Sequence, residues 1–106
     1  MTDQERRELS ERLAKWAGFA LGEKDFQFNK SGLPNFTRSL DAQAEYLWPK
    51  LGTIGFSFEQ EITVSGELLG WSAYCQRGEE WWEEFSEDSP AEAIALAIDA
   101  AIGEKP

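Results

Sequence analysis

Residues 54–85 decide the fold, and they read IGFSFEQEITVSGELLGWSAYCQRGEEWWEEF. Apolar and polar residues alternate over residues 54–64, which is the period-two pattern of a half-buried strand. Turn signals at Ser65-Gly66 and Arg77-Gly78 separate two further strand patterns, over residues 68–76 and 80–85. The sequence therefore predicts a three-stranded antiparallel meander.

Two-residue turns would give this meander one apolar and one polar face. In the second hairpin, Trp82 is predicted opposite Ala73 on the inner face. Trp81 would then lie outward beside Tyr74, and Phe85 outward beside Gly70. A one-residue change in loop length would exchange Trp81 and Trp82, so which of them faces the core stays open. The pairs predicted for the first hairpin are Phe56–Cys75, Phe58–Ala73, Gln60–Trp71 and Ile62–Leu69.

The outer face of the predicted sheet combines aromatic side chains with carboxylates, which makes it a candidate surface for binding a partner. The alternative is that a helix covers these aromatic residues, most simply the first helix. The six candidate residues are Glu59, Glu61, Tyr74, Trp81, Glu83 and Phe85.

Three helices flank the strands. The first is predicted over residues 3–21, with the capping-box spacing Thr2–Glu5 at its start and Gly22 as its stop. The second begins at the N-cap Ser39, carries an apolar stripe of Leu40, Ala44, Leu47 and Leu51, and is expected to end or kink near Trp48, before Pro49. In the last, Ser89 is the N-cap, Pro90 the first residue, and Glu92 is expected to complete a capping box; Gly103 ends it.

Length and composition limit what the chain can be. Its 106 residues predict a single domain (1–106), and 42% hydrophobic residues argue against disorder. A net charge of −10 opposes direct nucleic-acid binding. No apolar stretch is long enough to cross a membrane, and the charged N-terminus is unlike a signal peptide, so the cytoplasm is the expected compartment.

Catalytic chemistry has little support in the sequence. The chain has no His and only one Cys, Cys75, which predicts no catalytic triad, no zinc site and no internal disulfide. Cys75 is interpreted as a buried strand residue. The acidic cluster at residues 79–88 could in principle serve acid–base or metal chemistry, but it fits a solvated rim better. We therefore predict no catalytic residue, no metal and no cofactor.

Two motifs resemble a known family. Leu33-Pro34-Asn35-Phe36-Thr37-Arg38-Ser39-Leu40-Asp41-Ala42 and residues 89–98, SPAEAIALAI, are similar to segments of the phage ABA sandwich domain family of small phage and prophage proteins. The opening helix also fits that family. The resemblance implies an α/β/α sandwich, origin in a phage or prophage, and action in a bacterial cytoplasm. It implies no activity and no catalytic residue.

The sequence thus predicts an α+β protein of order α-α-β-β-β-α, which the resemblance makes a small phage accessory protein. We expect it to be no enzyme and to bind a host or phage protein, for example a basic nucleic-acid-binding one. Two alternatives stay open: an oligomeric structural or housekeeping phage protein, and a carboxylate- or metal-dependent enzyme.

Overall fold

The structure is a computed structural model that describes residues 2–18 and 35–103. Within them, three helices and three strands follow the order α-α-β-β-β-α, which confirms the predicted α+β fold. The elements are α1 (Asp3–Trp16), α2 (Leu40–Tyr46), β1 (Gly55–Ile62), β2 (Leu68–Arg77), β3 (Glu80–Ser86) and α3 (Pro90–Gly103).

Helix α1 begins as predicted and ends earlier than predicted. Thr2 and Glu5 form the capping box, each side chain accepting the other's backbone N–H at 3.1 and 2.7 Å. The predicted end at residue 21 is wrong, because the chain leaves the helix at Ala17 and Gly18 adopts a φ of +94°, which glycine tolerates. The predicted stop at Gly22 lies outside the described residues.

Helix α2 is short and rests on a buried amide that the apolar pattern does not reveal. The Ser39 side chain accepts the N–H of Ala42, which confirms the predicted N-cap. Leu47 and Leu51 of the predicted stripe are buried, but Ala44 is exposed. The neighbouring Gln43 is fully buried instead. A 3₁₀ turn over Trp48–Lys50 follows the helix, consistent with the expected break near Pro49.

The strands form one antiparallel sheet of order β1-β2-β3. In the first hairpin the pairs Phe56–Cys75, Phe58–Ala73 and Gln60–Trp71 are as predicted. Ile62 pairs with Leu68 rather than with Leu69, because a bulge inserts one extra residue into β2.

In the second hairpin the predicted register is wrong. Trp82 pairs with Cys75 instead of Ala73, and Trp81 pairs with Gln76 instead of Tyr74. Phe85 pairs with Ser72 instead of Gly70. The reason is that the turn uses residues 78 and 79 rather than 77 and 78, which shifts the partners by two residues. An even shift preserves the faces, so Trp82 points inward and Trp81 outward as predicted.

Helix α3 is the centre of the core. It packs against all three strands and against both other helices. Alanine and isoleucine dominate it, and small side chains let neighbouring elements approach closely. Its buried residues are Ala91, Glu92, Ala93, Ile94, Ala95, Ala97, Ile98 and Ala101.

Helix α1 lies against α3 and not against the sheet. Arg6 pairs with Glu92 and Arg12 with Asp99, so residue numbers rise together and the two helices run in the same direction. Among the described elements, α1 contacts only α3, and α3 occupies the inner face of the sheet. None of the described helices forms the second layer that a sandwich would need on the outer face.

Candidate functional site

Strand alternation places all six predicted residues on the outer face. In the observed register Tyr74 lies opposite Glu83, and Phe85 lies opposite Ser72, whose other neighbour across the sheet is Glu59. Side chains directly opposite each other, or two positions apart on one strand, share a face. By the same rule Glu61 and Trp81 join this set. We call Glu59, Glu61, Tyr74, Trp81, Glu83 and Phe85 the outer-face cluster.

Two of the three aromatic groups of the cluster are open to solvent. Trp81 is 61% exposed and Phe85 46% exposed. The alternative that α1 covers these side chains is wrong, because α1 packs on α3, on the other side of the sheet. Trp82 is half-buried on that inner side, with the guanidinium carbon of Arg77 5.5 Å from its ring centroid.

Tyr74 links the aromatic and acidic parts of the cluster. Its ring stacks against Trp81 with 6.2 Å between centroids and 29° between planes. Its hydroxyl donates to Glu59 Oε1 at 2.9 Å. That hydrogen bond, more than burial and the nearby carboxylates, raises the pKa of Tyr74 to about 12. Tyr74 is therefore a neutral hydrogen-bond donor at physiological pH, held in place from two sides.

Gly70 positions Phe85, and the strand pattern alone does not show it. A Cβ atom at Gly70 would lie 2.5 Å from the carbonyl oxygen of Ser86 and 2.6 Å from Cζ of Phe85. The ring of Phe85 therefore lies directly on the Gly70 backbone. A glycine inside a strand often marks such a close approach, and this is the signal that could have identified it.

The carboxylates of the cluster have no ion pair within the described part of the chain. Arg6, Arg7, Arg12 and Arg77 pair with acidic residues outside the cluster. The Glu61 carboxylate accepts a hydrogen bond from the neutral hydroxyl of Ser72, at 3.1 Å. Among the described residues, three carboxylates without a balancing cation therefore share a sheet face with two exposed aromatic rings.

The other candidates for chemistry do not form a site. Cys75 is fully buried as predicted, and burial raises its thiol pKa to about 11, which disfavours the nucleophilic thiolate. In the acidic cluster Asp88 pairs with Arg6 and Glu80 with Arg77. Among residues 2–18 and 35–103, no three His, Cys, Asp or Glu side chains converge as metal ligands.

Glu84 differs from its acidic neighbours. It lies on the inner side of β3, and burial together with the nearby charge of Asp99 raises its pKa. Asp99 itself pairs with Arg12 at 3.0 Å, so the two carboxyl groups do not form the acid–base pair of a catalytic cleft.

The fold and the site together define a class: a small α+β domain with an open, acidic and aromatic sheet face. Comparison with protein families, with curated proteins and with solved structures finds no match to this chain. No helix in the described ranges has the length and apolar character needed to cross a membrane.

Proposed function

We propose that this chain is an acidic accessory protein without enzymatic activity, which binds a basic protein partner through its outer-face cluster. One observation carries the proposal: within the described residues, Glu59, Glu61 and Glu83 have no ion pair and share a sheet face with the exposed rings of Trp81 and Phe85. Aromatic side chains are enriched in protein interfaces, where they bury a large contact area. Negative charges on one surface favour partners that carry positive charges.

The proposed source and compartment rest on the two family-like motifs. Their similarity to the phage ABA sandwich domain family supports an origin in a phage or prophage. It therefore also supports action in the cytoplasm of a bacterial host. A host or phage protein with a basic nucleic-acid-binding groove fits the acidic cluster, since such a groove is built to receive negative charge. Direct binding of nucleic acid is not proposed, because a net charge of −10 opposes it.

Binding of a labelled hepta-lysine peptide, measured by fluorescence anisotropy, tests the charge requirement. We expect binding at about 0.01 M salt, where the Debye length is about 30 Å, and a loss of at least ten-fold at about 1 M salt, where it is about 3 Å. Affinity that does not change with salt would contradict the proposal.

Matched charge variants test the location. The triple variant Glu59→Gln, Glu61→Gln, Glu83→Gln removes three charges from the cluster. The control Glu8→Gln, Glu45→Gln, Glu67→Gln removes three exposed charges elsewhere. We expect the first variant to lose most of the affinity and the control to lose little. Equal losses would show that only the net charge matters.

One observation favours a second candidate, the oligomeric phage protein. Apolar side chains at the end of the first hairpin, which extends beyond the core, are exposed: Ile62 by 58%, Leu68 by 49% and Leu69 by 53%. Val64, predicted on the core side of a longer strand, is fully exposed, because β1 ends at Ile62. A concentration-dependent mass in sedimentation equilibrium, abolished by Leu68→Ser and Leu69→Ser, would support self-association.

A further inference from the structure

The inner face of the sheet already contains an arginine docked on a tryptophan. The guanidinium of Arg77 lies over the ring of Trp82, and its Nη2 atom is 3.5 Å from a carboxylate oxygen of Glu80. Glu80 and Trp82 are two residues apart on β3 and therefore point to the same side. Arg77, Trp82 and Glu80 thus form one contact unit. It consists of a tryptophan, a carboxylate two positions away on the same strand, and a guanidinium that contacts both.

The outer face repeats two of the three parts. Trp81 is followed two residues later by Glu83, on the same strand and the same face. At about 3.3 Å per residue, the two Cα atoms are about 6.6 Å apart, as Glu80 and Trp82 are. Trp81 uses one side of its ring against Tyr74 and keeps 61% of its surface exposed. Within the described residues, no guanidinium or ammonium group lies over it.

We propose that the outer face receives an arginine side chain of the partner, stacked on Trp81 with its guanidinium hydrogen-bonded to Glu83. The inference rests on the proposed function and specifies its ligand. A guanidinium is planar, stacks on aromatic rings and presents paired donors that match a carboxylate, whereas an ammonium is a compact and strongly hydrated point charge. A guanidinium can therefore stack flat on Trp81 while its paired donors bond to Glu83, a combination that the point charge of an ammonium matches less well.

A second copy of this chain does not fit the same place. Pairing the face with itself would bring Glu59, Glu61 and Glu83 against an identical set of carboxylates. Such like-charge contacts oppose association. Charge complementarity therefore selects a basic occupant, and the Arg77–Trp82–Glu80 unit indicates which basic side chain it is.

Two peptides of equal length and charge, hepta-arginine and hepta-lysine, separate guanidinium recognition from general electrostatic attraction. Their affinities for the whole protein are measured at the same low salt concentration. We expect hepta-arginine to bind about three-fold more tightly, the effect of one cation–aromatic contact at an exposed site. Trp81→Ala should abolish this preference and make the two affinities equal.

Three further variants complete the test. Trp81→Phe keeps a smaller ring and should retain part of the preference, and Glu83→Gln should weaken both peptides but hepta-arginine more. Val64→Ala shortens a fully exposed apolar side chain away from the face and should leave the preference unchanged. Circular dichroism confirms that each variant is folded.

The outcomes distinguish this inference from the proposed function. Equal affinities for the two peptides in the wild type, or a preference that survives Trp81→Ala, would overturn the arginine site. Salt-dependent binding lost in the Glu→Gln triple variant would then still support a basic partner. Absence of binding to either peptide at low salt would overturn both.

Discussion

Replacing Arg6 by methionine is expected to destabilise the protein far more than any exposed ion pair could. Arg6 joins α1 to the start of α3: its Nε is 2.7 Å from Glu92 Oε1, and its Nη2 is 2.7 Å from Asp88 Oδ2. The second carboxylate oxygen of Glu92 accepts the hydroxyl of Ser86 at 2.6 Å. The side chains of Arg6 and Glu92 are only 13% and 5% exposed.

The magnitude follows from what the substitution leaves behind. Without Arg6, the carboxylate of Glu92 stays buried with one neutral hydrogen-bond donor. Breaking a buried pair by removing one partner costs about 3–5 kcal/mol. The hydroxyl of Ser86 still bonds to Glu92, so we expect about 3 kcal/mol, a large share of the roughly 5–15 kcal/mol that holds a domain folded.

Urea denaturation followed by tryptophan fluorescence measures this cost. With a slope of about 1.5 kcal/mol per molar urea, a 3 kcal/mol loss moves the midpoint down by about 2 M. Arg12→Met is the matched control, because Arg12 joins the same two helices through Asp99 but is 56% exposed. An exposed pair of this kind contributes about 1 kcal/mol at most.

A double variant completes the argument. Arg6→Met together with Glu92→Met leaves no buried charge unpaired at this position, because Asp88, the other close partner of Arg6, is 45% exposed. Apolar replacements of a whole buried pair are often nearly neutral. The double variant should therefore be more stable than Arg6→Met alone. A buried, coupled ion pair would be contradicted if Arg6→Met costs no more than the Arg12 control. It would also be contradicted if the costs of Arg6→Met and Glu92→Met simply add in the double variant.

Three further outcomes are expected. Gly70→Ala should cost about 1–3 kcal/mol in the same urea assay, because its new methyl group meets the carbonyl oxygen of Ser86 at 2.5 Å; a neutral substitution would contradict the close packing. Cys75 should resist a thiol reagent at pH 8 until urea unfolds the protein, since burial holds its pKa at about 11; reaction in the folded state would contradict this burial. In a variant without the other tyrosine, absorbance at 295 nm should show Tyr74 ionising near pH 12, and Glu59→Gln should lower that pKa. The raised pKa also means that stability falls as pH rises from about 10 to 12, because the unfolded chain releases this proton first.

The elements and the faces of the sheet follow from local patterns, and the exact pairing does not. Alternation fixes which residues share a face, so the six residues of the outer-face cluster lie on one face despite a wrong register in the second hairpin. The pairing depends on which residue starts the turn, and alternation does not show this. A two-residue hairpin turn needs a positive φ at its first central residue, which Gly78 adopts at +64° and an arginine would adopt only with strain. The observed turn Gly78-Glu79 therefore prevails over the predicted Arg77-Gly78.

Polar residues inside the core escape a prediction based on apolar periodicity. Gln43 is buried because its amide donates to the carbonyls of Phe36 and Ala91, both at 2.7 Å, and accepts from the indole of Trp48. These three partners lie on different segments of the chain, so no local sequence pattern predicts that Gln43 is buried.

Glu92 shows the same limit at the start of α3. The predicted N-cap is present, since Ser89 accepts the N–H of Glu92 at 3.0 Å. The prediction that Glu92 completes a capping box is wrong, because its carboxylate accepts hydrogen bonds from Arg6 and Ser86 instead. A distant arginine on α1 competes successfully for this carboxylate, and sequence spacing cannot reveal it.

The position of α3 in the chain has a consequence for how the protein reaches its native state. Every other described element packs against this helix or depends on one that does, yet residues 90–103 follow all of them in sequence. During synthesis the strands and the first two helices therefore emerge before α3, the helix that they pack against. Hairpins on their own are at best marginally stable in water. The apolar residues on the inner face of the sheet therefore stay open to solvent until α3 has been synthesised. Chaperones can bind these residues during that interval.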